Sequence, residues 1–146
     1  MADDNQTLSP YFEEQESEIE SLKYIFLEDL EVLEEKPYKF EVMLNANNES
    51  AEKNWLKLKL TFELPDDYPT QIPIVRIKNL TPDIIHNNKM LEFDRLVATK
   101  ADENIGNAMI YEICEAVREI LSNMNDLVLK KLYELENKDS IEHALA

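Results

Sequence analysis

Glycine is almost missing from this chain: Gly106 is the only one in 146 residues. A loop that cradles phosphate needs several closely spaced glycines, so P-loop and dinucleotide-type sites are excluded. Cysteine also occurs once, as Cys114. A lone cysteine forms no internal disulfide and suits a reducing compartment. The two histidines, His86 and His143, are far apart, and no cysteine–histidine set has zinc spacing. No metal and no cofactor are expected. Basic residues are scarce, with 15 Lys and Arg against 31 Asp and Glu, a formal net charge of −16. Such a field repels phosphate backbones, and the clustered cations that drive nucleic-acid binding are lacking. Neither nucleic acid nor an anionic membrane surface is expected as a partner. A basic protein surface is favoured instead, through steering and association rate. No run reaches the ~20 apolar residues of a membrane span, and Met1 to Gln6 is polar with no apolar signal core. A cytoplasmic protein is expected.

What is present fits one globular domain. The apolar fraction, 44%, is ordinary, and the length suffices to bury roughly two thirds of the unfolded surface. Residues 1–8 are expected to be disordered. Ser9-Pro10 reads as a helix start, with a capping hydroxyl and a proline suited to the first turn. Ile19, Leu22, Phe26, Leu30 and Leu33 step by three and four, which predicts one amphipathic helix ending at Pro37. The period then changes to two. Phe40, Val42 and Leu44 mark one strand, and Leu56 through Leu64 mark another, alternating with Trp55, Lys57, Lys59, Thr61 and Glu63. Ile74–Lys78 makes a third, and a short extended piece in the connector before it is open as a fourth. Met90, Phe93, Val97 and Ala101 predict a second helix, and Ile110, Ile113, Val117, Ile120, Met124 and Leu127 a third, extended through Leu135. The expected domain is 9–136, followed by a disordered tail over 137–146. Strands in one block flanked by helices predict an α+β fold, α-β-β-β-(β)-α-α, with an antiparallel meander and helices alongside.

Two punctuation points stand out. Tyr68-Pro69-Thr70-Gln71-Ile72-Pro73 has prolines that fix φ and bias the preceding residues away from helix, so it reads as a rigid connector. Gly106 falls between two helical patterns and is expected in the left-handed region that follows a helix. Around it, Glu103, Asn104 and Asn107 form either a simple turn or an acidic corner offered to a partner. Trp55 is either scaffold or a binding anchor. Catalytic candidates are poor. Cys114 shares the apolar stripe of Ile110, Val117 and Leu121, so it reads as a core residue rather than a nucleophile, and His86 reads as a solvated loop residue.

Three stretches together resemble an RWD domain. They are the acidic helix Glu14-Gln15-Glu16-Ser17-Glu18-Ile19-Glu20-Ser21-Leu22-Lys23-Tyr24-Ile25-Phe26, the YPxxxP pattern at Tyr68, Pro69 and Pro73, and Glu103-Asn104-Ile105-Gly106-Asn107-Ala108-Met109-Ile110-Tyr111 opening the last helix. The resemblance covers about residues 11–125. It is most like the small acidic RWD proteins that accompany developmentally regulated GTPases, then the RWD module of the eIF2α kinase that senses amino-acid starvation. It implies a four-stranded antiparallel sheet with helices alongside, and a protein-binding module without catalysis. It further implies docking onto the large ribosome-associated activator of that kinase. In the GTPase-associated proteins, the GTPase-binding segment lies C-terminal to the RWD domain and has no counterpart in this sequence. Ubiquitin-conjugating enzymes share a related proline turn, which leaves an inactive ubiquitin- or SUMO-pathway binder as the alternative. Their His-Pro-Asn motif is replaced here by His86-Asn87-Asn88, and no cysteine follows until Cys114.

Overall fold

A computed structural model describes residues 10–46 and 56–145. Helix α1 spans Phe12–Phe26 and ends at Leu27, whose φ of 53° turns the chain out of the helix. A single 3-10 turn, Leu27–Asp29, leads into strand β1, Leu30–Glu35. Strands β2 (Tyr38–Asn45), β3 (Lys57–Glu63) and β4 (Ile74–Asn79) follow, then helices α2 (Asn87–Glu103) and α3 (Ile110–Leu145). The four strands form one antiparallel sheet in the order β1-β2-β3-β4. The α+β class and the meander are as expected.

The predicted first helix is too long by ten residues, since it stops at Phe26 and not at Lys36. The Leu30–Leu33 spacing suits a helix, but Leu30-Glu31-Val32 also satisfies a period of two. Pairing decides between them. As strand, Leu30 and Val32 sit opposite Val42 and Phe40 of β2, and Leu30 is 8% exposed while Leu33 is 44% exposed. The fourth strand is thus β1 at one sheet edge, and the connector before β4 contributes turns and bends only. At the other end of the chain, α3 runs as helix to Leu145, past residue 137 where disorder is expected. At 1.5 Å per residue, its 36 residues reach about 54 Å. The proposed Ser9 cap, the disorder expected of 1–8 and Trp55 all lie outside the described residues.

One face of the sheet makes the core. Tyr38, Phe40, Val42 and Leu44 of β2 and Leu58, Leu60 and Phe62 of β3 are buried, alternating with more exposed and mostly polar neighbours. Phe40 and Phe62 are register partners, with stacked rings 5.1 Å apart. Against them pack Ile19, Leu22 and Phe26 of α1 and Ile110, Ile113, Cys114, Val117 and Leu121 of α3. Helix α2 adds Phe93, Val97 and Ala101. The helices therefore cover one side of the sheet, and the connectors meet at its end.

Candidate functional site

The Tyr68 connector is tied down from three directions. Gln15, on the buried stripe Gln15-Ile19-Leu22-Phe26 of α1, donates from Nε2 to the carbonyl oxygens of Pro65 at 3.2 Å, Asp66 at 3.4 Å and Tyr68 at 3.0 Å. One turn later, Glu18 accepts the Tyr68 hydroxyl at 2.7 and 2.9 Å from its two carboxylate oxygens. The Tyr68 oxygen in turn accepts the Met109 N–H at 2.9 Å, and Glu18 accepts the Ile110 N–H at 3.2 Å. Glu18 thereby serves, from another helix, the free amides at the start of α3, where negative charge is favoured. Finally, the Gly106 N–H donates to the Pro69 carbonyl at 2.8 Å.

These bonds form one polar knot in an otherwise apolar region. Tyr68 is 1% exposed and Gln15 is 3% exposed. Among the described residues, no buried side-chain nitrogen or oxygen is left without a hydrogen-bond partner. Burial pushes the Glu18 carboxyl above its ordinary range, and the bonds from Tyr68 and from the Ile110 and Met109 amides pull it partly back. Burial, then the Glu18 charge, hold the Tyr68 hydroxyl firmly protonated. A neutral phenol and a saturated carboxylate make an anchor rather than an acid–base pair.

The anchor positions the corner between α2 and α3. Gly106 sits there with φ +93° and nothing within 4 Å of where a Cβ would be, so backbone conformation alone calls for glycine. This bears out its left-handed geometry, and the bond to Pro69 joins the corner to the connector. Asn104 is half-buried and caps α2, donating from Nδ2 to the Lys100 carbonyl at 2.8 Å. Glu103 is exposed and lies 3.5 Å from Lys100. Asn107 is exposed, its N–H bonded to the Asn104 carbonyl at 2.9 Å. Ile105, 51% exposed, stands between them as the one large apolar side chain of the corner. The corner is thus a fixed backbone presenting acid, amide and one apolar group.

Pro73 is buried where the connector enters β4, while Ile72 beside it is 42% exposed. Cys114 is fully buried, and burial pushes its thiol well above the usual range, which keeps it un-ionised. His86 is exposed at the start of α2. Among the described residues there is no group of three potential metal ligands, and no helix is long and apolar enough to cross a membrane. Gln15 and Glu18 are the two knot residues that motif reading misses. The available signal was Gln15, a polar residue in register with the apolar stripe of an amphipathic helix, which demands a buried partner.

The same segments that meet in the knot match the model of the RWD domain family over residues 13–121. The chain belongs to the RWD domain family. RWD domains are protein-interaction modules. The chain resembles the E3 ubiquitin-protein ligase RNF25 of Danio rerio, 30% identical over 112 residues, covering 75% of this chain and 21% of that protein. It also resembles the eIF-2-alpha kinase GCN2 of Schizosaccharomyces pombe, 27% identical over 135 residues, covering 88% of this chain and 8% of the kinase. The chain therefore spans about a fifth or less of the length of these relatives. Among solved structures it superimposes on the RWD domain of mouse GCN2 with a TM-score of 0.69 at 22% identity, over 77% of this chain and 86% of that one, which shows the shared fold.

Proposed function

We propose that this RWD domain is a non-catalytic adaptor that docks onto a large translation-control protein. The partner most in keeping with its kinship to the GCN2 kinase is the ribosome-associated activator of that kinase. The supporting observation is the polar knot, which ties the corner carrying the exposed Glu103 and Asn107 and the half-buried Asn104 to the Tyr68 connector. Preorganisation of this kind lowers the entropic cost of binding. The charge of −16 favours a basic partner surface through steering. Catalysis by thioester chemistry is disfavoured by the closed, un-ionised Cys114. We take the domain as 9–136 and its location as cytoplasmic, where such a partner would be met. GTPase binding would require a segment beyond this domain.

A pull-down of the ribosome-associated activator with the full chain tests this reading, with retention expected at micromolar protein. Charge reversal by Glu103→Lys should slow association and reduce its salt dependence, leaving dissociation nearly unchanged. No retention at either low or physiological salt would overturn the adaptor reading. The RNF25 relatives favour a second reading, an inactive binder of ubiquitin or SUMO. Titration with ubiquitin, followed by backbone amide shifts, separates the two: saturable shifts with ubiquitin and none with the activator would select the second.

A further inference from the structure

Strand β4 is a sheet edge, and among the described residues it pairs only with β3. Among the described residues no strand pairs with its second row of backbone donors and acceptors, a template for another strand. Beside it runs a groove of about 280 Å³ between β4 and α2. Val75 and Ile77 of β4 and Val97 and Ala101 of α2 line it, with Ile72 and Pro73 at one end. Helix α2 leaves Val75 and Ile77 half-exposed, unlike the inward residues of β2 and β3, which are buried. Asp94 on α2 lines the same groove.

The opposite face of β4 has a different character. Arg76 and Lys78 are exposed and make no ion pair among the described residues. On β2 and β3, Lys39 pairs with Glu63 at 3.4 Å and Lys59 with Glu41 at 3.7 Å on this face, while the exposed Lys57 at the start of β3 has no ion pair among the described residues. Arg76 and Lys78 thus give the β4 edge a local positive face in a chain of net charge −16. Cations also guard edges against aggregation, but that role does not account for an open apolar groove on the strand's other face.

We propose that β4 and the α2 groove bind an extended peptide of alternating apolar and acidic residues, which adds as a fifth strand. Side chains of an added strand alternate between faces. Its apolar residues would enter the groove over Val75 and Ile77, and its acidic residues would lie opposite Arg76 and Lys78. Asp94 disfavours acid inside the groove and so fixes which set points inward. Main-chain hydrogen bonds supply affinity and the two faces supply register, as in other strand-addition sites. At ~3.3 Å per residue, a β4 of six residues accommodates a peptide of about six to eight. The inference rests on the reading of the chain as an interaction module, but it uses a different surface from the Glu103 corner.

Titration of the full chain with a capped octapeptide alternating Val and Glu tests it, read by backbone amide shifts. Saturable shifts over residues 72–79 and 94–101, with slowed hydrogen exchange in β4, are expected. Reversing both cations, Arg76→Glu with Lys78→Glu, should weaken binding about tenfold, since each exposed pair is worth a fraction of the total. Ala98 of α2 also lines the groove, so Ala98→Trp should close it and abolish binding, whereas the neighbouring Thr99→Trp should not; circular dichroism confirms that each variant folds. Equal binding of an octapeptide with Lys in place of Glu, or of the same residues in two blocks, would overturn the proposal. So would the absence of shifts at millimolar peptide, or self-association of the chain through β4, which would make a second copy the occupant. Because no translation-control protein is involved, failure here leaves the adaptor reading standing, and failure of the pull-down leaves this one.

Discussion

Replacing Tyr68 by phenylalanine removes one oxygen from the knot and little volume. That oxygen donates to Glu18 at 2.7 Å and accepts from the Met109 amide at 2.9 Å. The ring stays buried, so the hydrophobic contribution is unchanged. A hydrogen bond to a charged group contributes about 1.5–3 kcal/mol, and a buried donor left without a partner costs about 1–3 kcal/mol. The two losses share an atom and do not add fully, so Tyr68→Phe should destabilise by about 3 kcal/mol. For a domain of this length, that lowers Tm by roughly 10 °C. Urea unfolding followed by far-ultraviolet circular dichroism gives the free energy, and amide hydrogen exchange gives the location. Exchange at Met109 and Ile110, and at Gly106 through the shared connector, should accelerate more than exchange in β2 and β3. A cycle with Glu18→Gln should show coupling of about 1 kcal/mol or more between the two positions. A loss below about 0.5 kcal/mol for Tyr68→Phe, the size of an ordinary surface substitution, would refute the idea that this hydroxyl anchors the start of α3.

Other consequences follow from single residues. The Glu18 carboxyl is raised above its ordinary 4.5 by burial, so the folded state binds its proton more tightly than the unfolded state does. Its contribution to stability is therefore full below the ordinary value and is lost as pH rises through the raised one; Glu18→Gln, compared with wild type by urea unfolding at each pH, should remove that part of the slope. Gly106→Ala should cost about 1 kcal/mol, because φ +93° strains an L residue although its Cβ meets nothing within 4 Å; chemical denaturation measures it. Leu33→Asp should be nearly neutral while Leu30→Asp is severely destabilising, by thermal melts, since β1 buries Leu30 and exposes Leu33; equal effects would favour a continued helix. Cys114 should resist thiol reagents at pH 8 in the native chain and react at once in denaturant, its burial being complete.

Strands β2 and β3 were legible because Phe40-Val42-Leu44 and Leu56 to Leu64 alternate between a buried and a wetter face, and β4 because Ile74 to Lys78 is a short β-branched run after a proline connector, although its inward Val75 and Ile77 stay half-exposed. Helix α2 and the first half of α3 were legible from their three-four spacing. Strand β1 was not, because Leu30 and Leu33 continue the stripe of α1 and only pairing with β2 overrules that period. The family signature was legible as separate pieces, the Tyr68 connector and the Gly106 corner. Their union was not. It depends on Gln15 and Glu18, whose residue types look like ordinary surface helix and whose partners are 50 to 92 positions away in sequence. The candidate corner residues divide accordingly: Asn104 has a structural role at the end of α2, while Glu103 and Asn107 stay exposed.

The central functional claim is that a rigid acidic corner receives the partner. Amide shifts of the labelled chain, recorded during titration with the ribosome-associated activator, test it most directly. The largest perturbations should fall on Glu103 to Asn107 and weaken in Glu103→Lys, with the β4 edge unaffected. Binding that perturbs other surfaces and leaves Glu103 to Asn107 unchanged would contradict the account.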